Sequence, residues 1–207
     1  MTKNLDLGLY LVTDTGMCGE RGVVDTVRAA VDGGVTVVQL RDHGATAHRL
    51  YEMTRELLDA LHGTGVPLIV NDRIDVALAA GAAGVHLGQG DLPVEQARRL
   101  AGPEFLIGRS TNRIDQIQAV NALPAGTVDY IGIGPVFFTQ TKPHAASPVG
   151  AAGVAERVPI SRVPAVAIGG IGRENAAEVR ATGVGGVAVV SAICAADDPR
   201  AAAAALR

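Results

Sequence analysis

Two aspartates each close a short aliphatic run: Asp72 ends VPLIVND, and Asp91 ends AGVHLGQGD. Other runs of the same kind finish in Gln39-Leu-Arg41, Ser110-Thr111-Asn112, Thr139-Gln-Thr141-Lys142, Gly169-Gly170 and Ser191, while Asn71 stands beside Asp72. Arg41 and Lys142 are cations with no carboxylate at helical spacing. Thr139, Thr141 and Ser191 bring hydroxyls, and Gly169-Gly170 can present bare backbone N–H groups. Cations, hydroxyls and open N–H groups are what phosphate oxygens need. The two aspartates add only oxygen donors, which select a hard cation, and Mg2+ bridging substrate phosphates is the natural occupant. The expected chemistry is the binding of more than one phosphate together with a metal ion.

For these groups to meet, the runs that carry them must end on one side of the molecule. Eight such runs occur: LGLYLVTD, VTVVQLRD, VPLIVND, AGVHLGQGD, EFLIGRST, DYIGIGPV, VPAVAIGG and GVAVVSAI. Between them lie Ala-rich stretches of helical period, among them VVDTVRAAVDGG, AHRLYEMTRELLDALHG, VEQARRLAG and the closing DDPRAAAAALR. Near-continuous apolar strands alternating with helices are the pattern of a parallel sheet buried on both faces. Eight strand–helix repeats in 207 residues predict a closed (β/α)8 TIM barrel, a single α/β domain over residues 1–207. An open doubly wound sheet is the alternative, but no GxGxxG follows the first run. In a barrel, the C-terminal strand ends share one rim, and chemistry sits there. Neighbouring strands lie about 4.8 Å apart, so Asp72 and Asp91, closing the third and fourth, could reach one ion.

Composition narrows the partners. The net charge is −3 with both signs interspersed, which leaves no footprint for nucleic acid or an anionic membrane. There is no Trp and only three each of Phe and Tyr, so the core must be aliphatic. Cys18 and Cys194 form no CxxC, and no apolar run approaches the ~20 residues of a membrane span. A cytoplasmic protein acting on small molecules is expected, and aliphatic outer helices are compatible with a homo-oligomer.

QLR after the second run, VND after the third, GVHLGQGD around the fourth and, above all, GPVFFTQTKP resemble the thiamine-phosphate synthase family. The motifs occur in the same order, and the likeness runs from LYLVTD to VVSAI. It implies a (β/α)8 barrel that joins a hydroxymethylpyrimidine diphosphate to a thiazole phosphate and releases diphosphate with Mg2+ present. Under that resemblance Asp72 and Asp91 hold Mg2+, while Arg41, His43, Asn71 and Lys142 meet the diphosphate. Gln39 and Ser110 orient the pyrimidine, and Thr139, Thr141, Gly170, Val190 and Ser191 hold the thiazole phosphate. Arg41, Lys142 and Ser110 are the residues it assigns to the catalytic step. No protein nucleophile is required. The alternative on the same barrel is the related thiazole tautomerase or non-catalytic regulator.

This chain departs from the family pattern at a few positions. His43 stands where a lysine is usual, which predicts weaker diphosphate binding that improves as pH falls toward about 6, since histidine titrates near ~6.5. Arg109 and Asn112 occupy positions where Val and His are common, and Phe138 replaces a proline. Structural roles compete with the functional ones. Asp72 and Asp91 could each cap the helix that follows, and His86, inside a strand, reads as a satisfied core histidine.

Overall fold

The computed structural model describes residues 5–139, 141 and 147–207. Its eight strands are β1 (Leu9–Val12), β2 (Val37–Leu40), β3 (Leu68–Asn71), β4 (Gly84–Leu87), β5 (Leu106–Thr111), β6 (Tyr130–Ile133), β7 (Ala165–Ile168) and β8 (Val187–Val189). Each pairs in parallel with its sequence neighbour, and β8 returns to β1 to close the barrel. Seven crossovers and the segment after β8 wrap the outside. They carry α1 (Thr15–Cys18), α2 (Gly22–Asp32), α3 (Ala47–Leu61), α4 (Ile74–Ala80), α5 (Val94–Ala101), α6 (Ile114–Ala122), α7 (Gly150–Arg157), α8 (Ala176–Arg180), α9 (Ser191–Cys194) and α10 (Pro199–Ala205).

The two-residue alternation of a strand decides which side chain faces which compartment. Leu9 and Leu11 turn outward and join Val38, Leu40, Val85, Leu87, Ile107 and the helix faces in one aliphatic layer. Tyr10 and Val12 turn inward, where Val37, Ile69, Leu106, Tyr130, Val166 and Ala188 complete a smaller interior cluster. The helices obey the same logic with a longer period. In α3, Leu50, Met53, Leu57 and Leu61 are buried along one stripe, and the Thr46 side chain caps the first turn by accepting from Arg49 N. Complete burial of a leucine such as Leu57 contributes about 2 kcal/mol, so the outer layer is the chief source of cohesion. Among the described residues no helix is long and apolar enough to cross a membrane.

Glycines make the interior possible. A Cβ on Gly108 would lie 2.3 Å from Tyr130 Cζ and 2.4 Å from His86 Nδ1, so this position must be bare for the two rings to meet. The three Tyr residues of the chain do not behave alike: Tyr10 and Tyr130 are fully buried inside the barrel, whereas Tyr51 is exposed on α3.

Candidate active site

A cavity of about 460 Å³ opens at the C-terminal ends of the strands. From the exits of β2, β3 and β5 it is lined by Gln39, Arg41, Asn71 and Ser110. The exits of β6, β7 and β8 contribute Thr139, Thr141, Gly170, Val190 and Ser191. One chamber thus gathers groups that are more than a hundred residues apart in the chain. Lys142 lies outside the described residues.

Arg41 reaches across this chamber. Its backbone N–H donates to Thr13 Oγ1 at 3.1 Å, and its Nη2 donates to the Thr141 carbonyl at 3.4 Å. A carboxylate does approach it, contrary to the local sequence pattern: Asp14 Oδ2, from the β1 exit, lies 3.9 Å from Nη1. The guanidinium therefore sits between the β1 and β6 loops and faces the cavity.

Asp72 and Asp91 stand beyond the walls of that cavity, in the loops that follow the adjacent paired strands β3 and β4. Asp72 has φ +61°, the one left-handed non-glycine residue among those described, a conformation that costs on the order of 1–3 kcal/mol and collects at functional sites. It does not cap α4, whose N-cap position is Arg73. The strained backbone instead leaves its carboxylate at the rim, with Oδ2 4.0 Å from His43 Nδ1. Asp91 likewise does not occupy the cap of α5, which is Pro93; its Oδ2 accepts the Gly88 N–H at 2.7 Å, fixing the carboxylate over the loop. No group of three or more His, Cys, Asp or Glu forms among the described residues. Two carboxylates with oxygen donors alone suit Mg2+, which commonly takes one or two protein carboxylates and completes its shell with phosphate oxygens and water.

Arg109 points outward, not into the chamber. Its Nη1 donates to the Gly88 carbonyl at 2.6 Å and Nη2 to Gln89 Oε1 at 3.4 Å, while Gln89 Nε2 donates to the Ser110 carbonyl at 2.6 Å. These bonds tie the Asp91 loop to β5. At the β7 exit, Gly169 and Gly170 have φ +108° and +64°. A Cβ on Gly170 would lie 2.5 Å from the Phe138 carbonyl oxygen, so glycine is required where the β6 and β7 loops touch.

Beneath the mouth runs a line of polar side chains, of which the sequence pattern did not single out Tyr10 and Tyr130. Gln39 Nε2 donates to Tyr10 Oη at 2.8 Å, and Tyr10 Oη and Tyr130 Oη are 2.7 Å apart. Tyr130 Oη is 3.1 Å from His86 Nδ1, and His86 Nε2 is 2.9 Å from Ser110 Oγ. Burial raises both phenols well above the ordinary tyrosine range, so both stay protonated. His86 is buried and bonded, as a core histidine would be, yet it also lines the cavity. Strand alternation counted from Gln39 and Ser110 is the signal that could have found its partners.

A closed parallel barrel with its polar groups gathered over one chamber at the C-terminal mouth is the build of a phosphate-handling (β/α)8 enzyme. The chain matches the thiamine monophosphate synthase family over residues 9–193. It is 49% identical to a thiamine-phosphate synthase of Psychrobacter sp. over 95% of this chain and 92% of that protein. It is 50% identical to one of Albidiferax ferrireducens, over 97% and 90%. A thiamine phosphate pyrophosphorylase structure from Pyrococcus furiosus superposes with a TM-score of 0.88 at 38% identity, covering 98% of this chain and 95% of that one. The chain belongs to the thiamine monophosphate synthase family.

Proposed function

We propose that this protein joins an aminopyrimidine methyl diphosphate to a thiazole ethyl phosphate, giving thiamine phosphate and diphosphate. The observation that carries the reading is the single chamber in which Gln39, Ser110 and Arg41 face Thr139, Thr141, Gly170 and Ser191. It has room for two small phosphorylated rings side by side.

In this reading the bond between the methylene carbon and the diphosphate oxygen breaks first, and its electron pair leaves with the diphosphate. The pyrimidine amino group feeds density into the ring and steadies the methylene cation that remains. The thiazole nitrogen then donates its lone pair to that carbon, forming the new C–N bond. Gln39 and Ser110 hold the pyrimidine in plane; Arg41 and Asn71 meet the leaving diphosphate, as does Lys142. Thr139 and Thr141, with the backbone at Gly170, Val190 and Ser191, hold the thiazole phosphate so that its nitrogen lies in line. Holding two reactants at near-attack distance removes much of the entropic barrier. Asp72 and Asp91 would hold Mg2+, which when bound offsets charge on the departing diphosphate. Free cysteines and a mixed surface charge suit a cytoplasmic setting.

The test is direct: purified protein with both substrates and Mg2+, thiamine phosphate read as its fluorescent oxidation product. Product that disappears with EDTA and returns with added Mg2+ is expected. Product undiminished by EDTA would remove the metal from the reading, and no product under any metal would remove the reaction.

His43 offers a gain-of-function check. A lysine there places a permanent cation beside Asp72 and the proposed diphosphate site. Such a partly exposed charge is worth up to ~1 kcal/mol, so His43→Lys should tighten inorganic diphosphate roughly two- to five-fold at neutral pH. Calorimetric titration in Mg2+ reads it, and an unchanged Kd would take His43 out of the diphosphate site.

A further inference from the structure

The line Gln39–Tyr10–Tyr130–His86–Ser110 has only two complete settings. A phenol has one hydrogen, a neutral imidazole has one, and an amide nitrogen can only donate. In the first setting the Gln39 nitrogen donates to Tyr10, Tyr10 to Tyr130, Tyr130 to His86 Nδ1, and His86 Nε2–H to Ser110. The Ser110 hydrogen is then left to point into the chamber, and the Gln39 carbonyl oxygen faces it from the other end. In the second setting every bond reverses: Gln39 accepts from Tyr10 and shows its NH2 to the chamber, while Ser110 spends its hydrogen on His86. Mixed settings place two lone pairs, or two hydrogens, in one contact of 2.7–3.1 Å, which a buried line does not tolerate.

The structure holds Gln39 with its nitrogen on Tyr10, which is the first setting. We infer that Tyr10, Tyr130 and His86 are positioning residues that lock Gln39 as an acceptor and Ser110 as a donor, and so make the chamber specific for a pyrimidine with an exocyclic amino group over its 4-oxo counterpart. An amino N–H meets the Gln39 oxygen, and a ring nitrogen lone pair receives the Ser110 hydroxyl. A 4-oxo ring carries an oxygen where the amino group stood and a hydrogen on one ring nitrogen. To accept it, Gln39 must turn its amide, and its oxygen then meets a Tyr10 oxygen whose only hydrogen is committed to Tyr130 unless all four bonds of the line and the His86 tautomer reverse together. The two phenols remain protonated because burial disfavours their anions, so neither can relax the lock by losing its hydrogen. Tyr130 belongs to the interior cluster and does not line the chamber; it acts on substrate choice through Tyr10 and His86.

This inference rests on the proposed pyrimidine site, and its test separates the two. Nitrogen-15 NMR on the unaltered protein reads the imidazole: a pyridine-type Nδ1 and a pyrrole-type Nε2 are expected for His86, and the opposite tautomer or a cationic ring would overturn the inference. Binding of the amino and 4-oxo pyrimidine diphosphates is then compared in the unaltered protein, in Tyr130→Phe and in Tyr10→Phe. The unaltered protein should prefer the amino form by about a hundredfold, the range set by one buried group left without its partner. Tyr130→Phe keeps the ring and frees the Tyr10 hydrogen to follow a turned Gln39, so the preference should fall to about tenfold or less. The KM for thiazole phosphate should stay the same. If the amino form binds and its preference survives in both variants, the lock is wrong while the synthase reading stands. If neither pyrimidine binds the unaltered protein, both are wrong.

Discussion

Replacing Asp72 with asparagine is expected to lower kcat/KM by about three orders of magnitude while the melting temperature stays where it was. A metal that stabilises a leaving diphosphate supplies several kcal/mol, and each ~1.4 kcal/mol is a tenfold change in rate. Asparagine keeps the side-chain shape and tolerates the left-handed backbone at φ +61°, so only the charge is removed. Asp72→Gly completes the test. It relieves the backbone strain altogether, so its melting temperature should be unchanged or higher although its activity is lost. That pairing of equal or better stability with lost turnover marks a residue kept for function. Steady-state rates across a Mg2+ titration, beside a thermal melt, read both quantities. Turnover within tenfold of the unaltered protein at every Mg2+ concentration would dismiss Asp72 as a metal ligand.

Gly108→Ala should be strongly destabilising at the barrel interior. The new carbon would lie 2.3 Å from Tyr130 Cζ and 2.4 Å from both Tyr130 Oη and His86 Nδ1. Those rings are buried and hydrogen-bonded to Tyr10 and Ser110, so neither can retreat without breaking the line that ends at Ser110. Overpacking of this kind costs about 3 kcal/mol, which in a chain of this size lowers the melting temperature by roughly 6–12 °C. KM for the pyrimidine diphosphate should rise as well. Gly90→Ala is the matched control: nothing lies within 4 Å of its Cβ, and its melting temperature should hardly move. Equal melts for the two variants would show that the interior around Gly108 is slack.

The barrel was legible in the sequence because its signal is repetitive. Eight aliphatic runs became eight strands, and the Ala-rich stretches named with them became α2, α3, α5 and α10. GAAGVAER was not singled out, since its two glycines blur the helical period, yet it forms α7. The rim was legible too, because polar residues ending apolar runs need only a local reading. What escaped was whatever depends on one element meeting another. Tyr10 and Tyr130 are unremarkable strand formers in LYLV and YIGI; only closure of the barrel brings their hydroxyls together. Asp14 is far from Arg41 in sequence but neighbours it through the pairing of β1 and β2. Arg109 looks like a candidate phosphate contact until strand alternation turns it outward onto the Asp91 loop. Asp72 looks like a helix cap, and no local pattern announces a left-handed backbone at a residue that is not glycine.

The seam between β1 and β8, where Leu9 pairs with Val187, bears on how the enzyme comes into being. On the ribosome β1 is without one of its partners until β8, at Val187–Val189, has emerged. A nascent chain lacking β8 presents two open sheet edges and uncovered aliphatic surface to its surroundings, the features that invite edge-to-edge association. Contacts this distant also slow folding, because the loop they close runs from Leu9 to Val187. The loop at Val190 and Ser191 follows β8 immediately, so that wall of the chamber is finished in the same event that seals the ring. A ligand held there can bind only molecules that have closed. Such binding draws the population toward the sealed barrel by mass action, so the substrate becomes a natural aid to the maturation of its own catalyst.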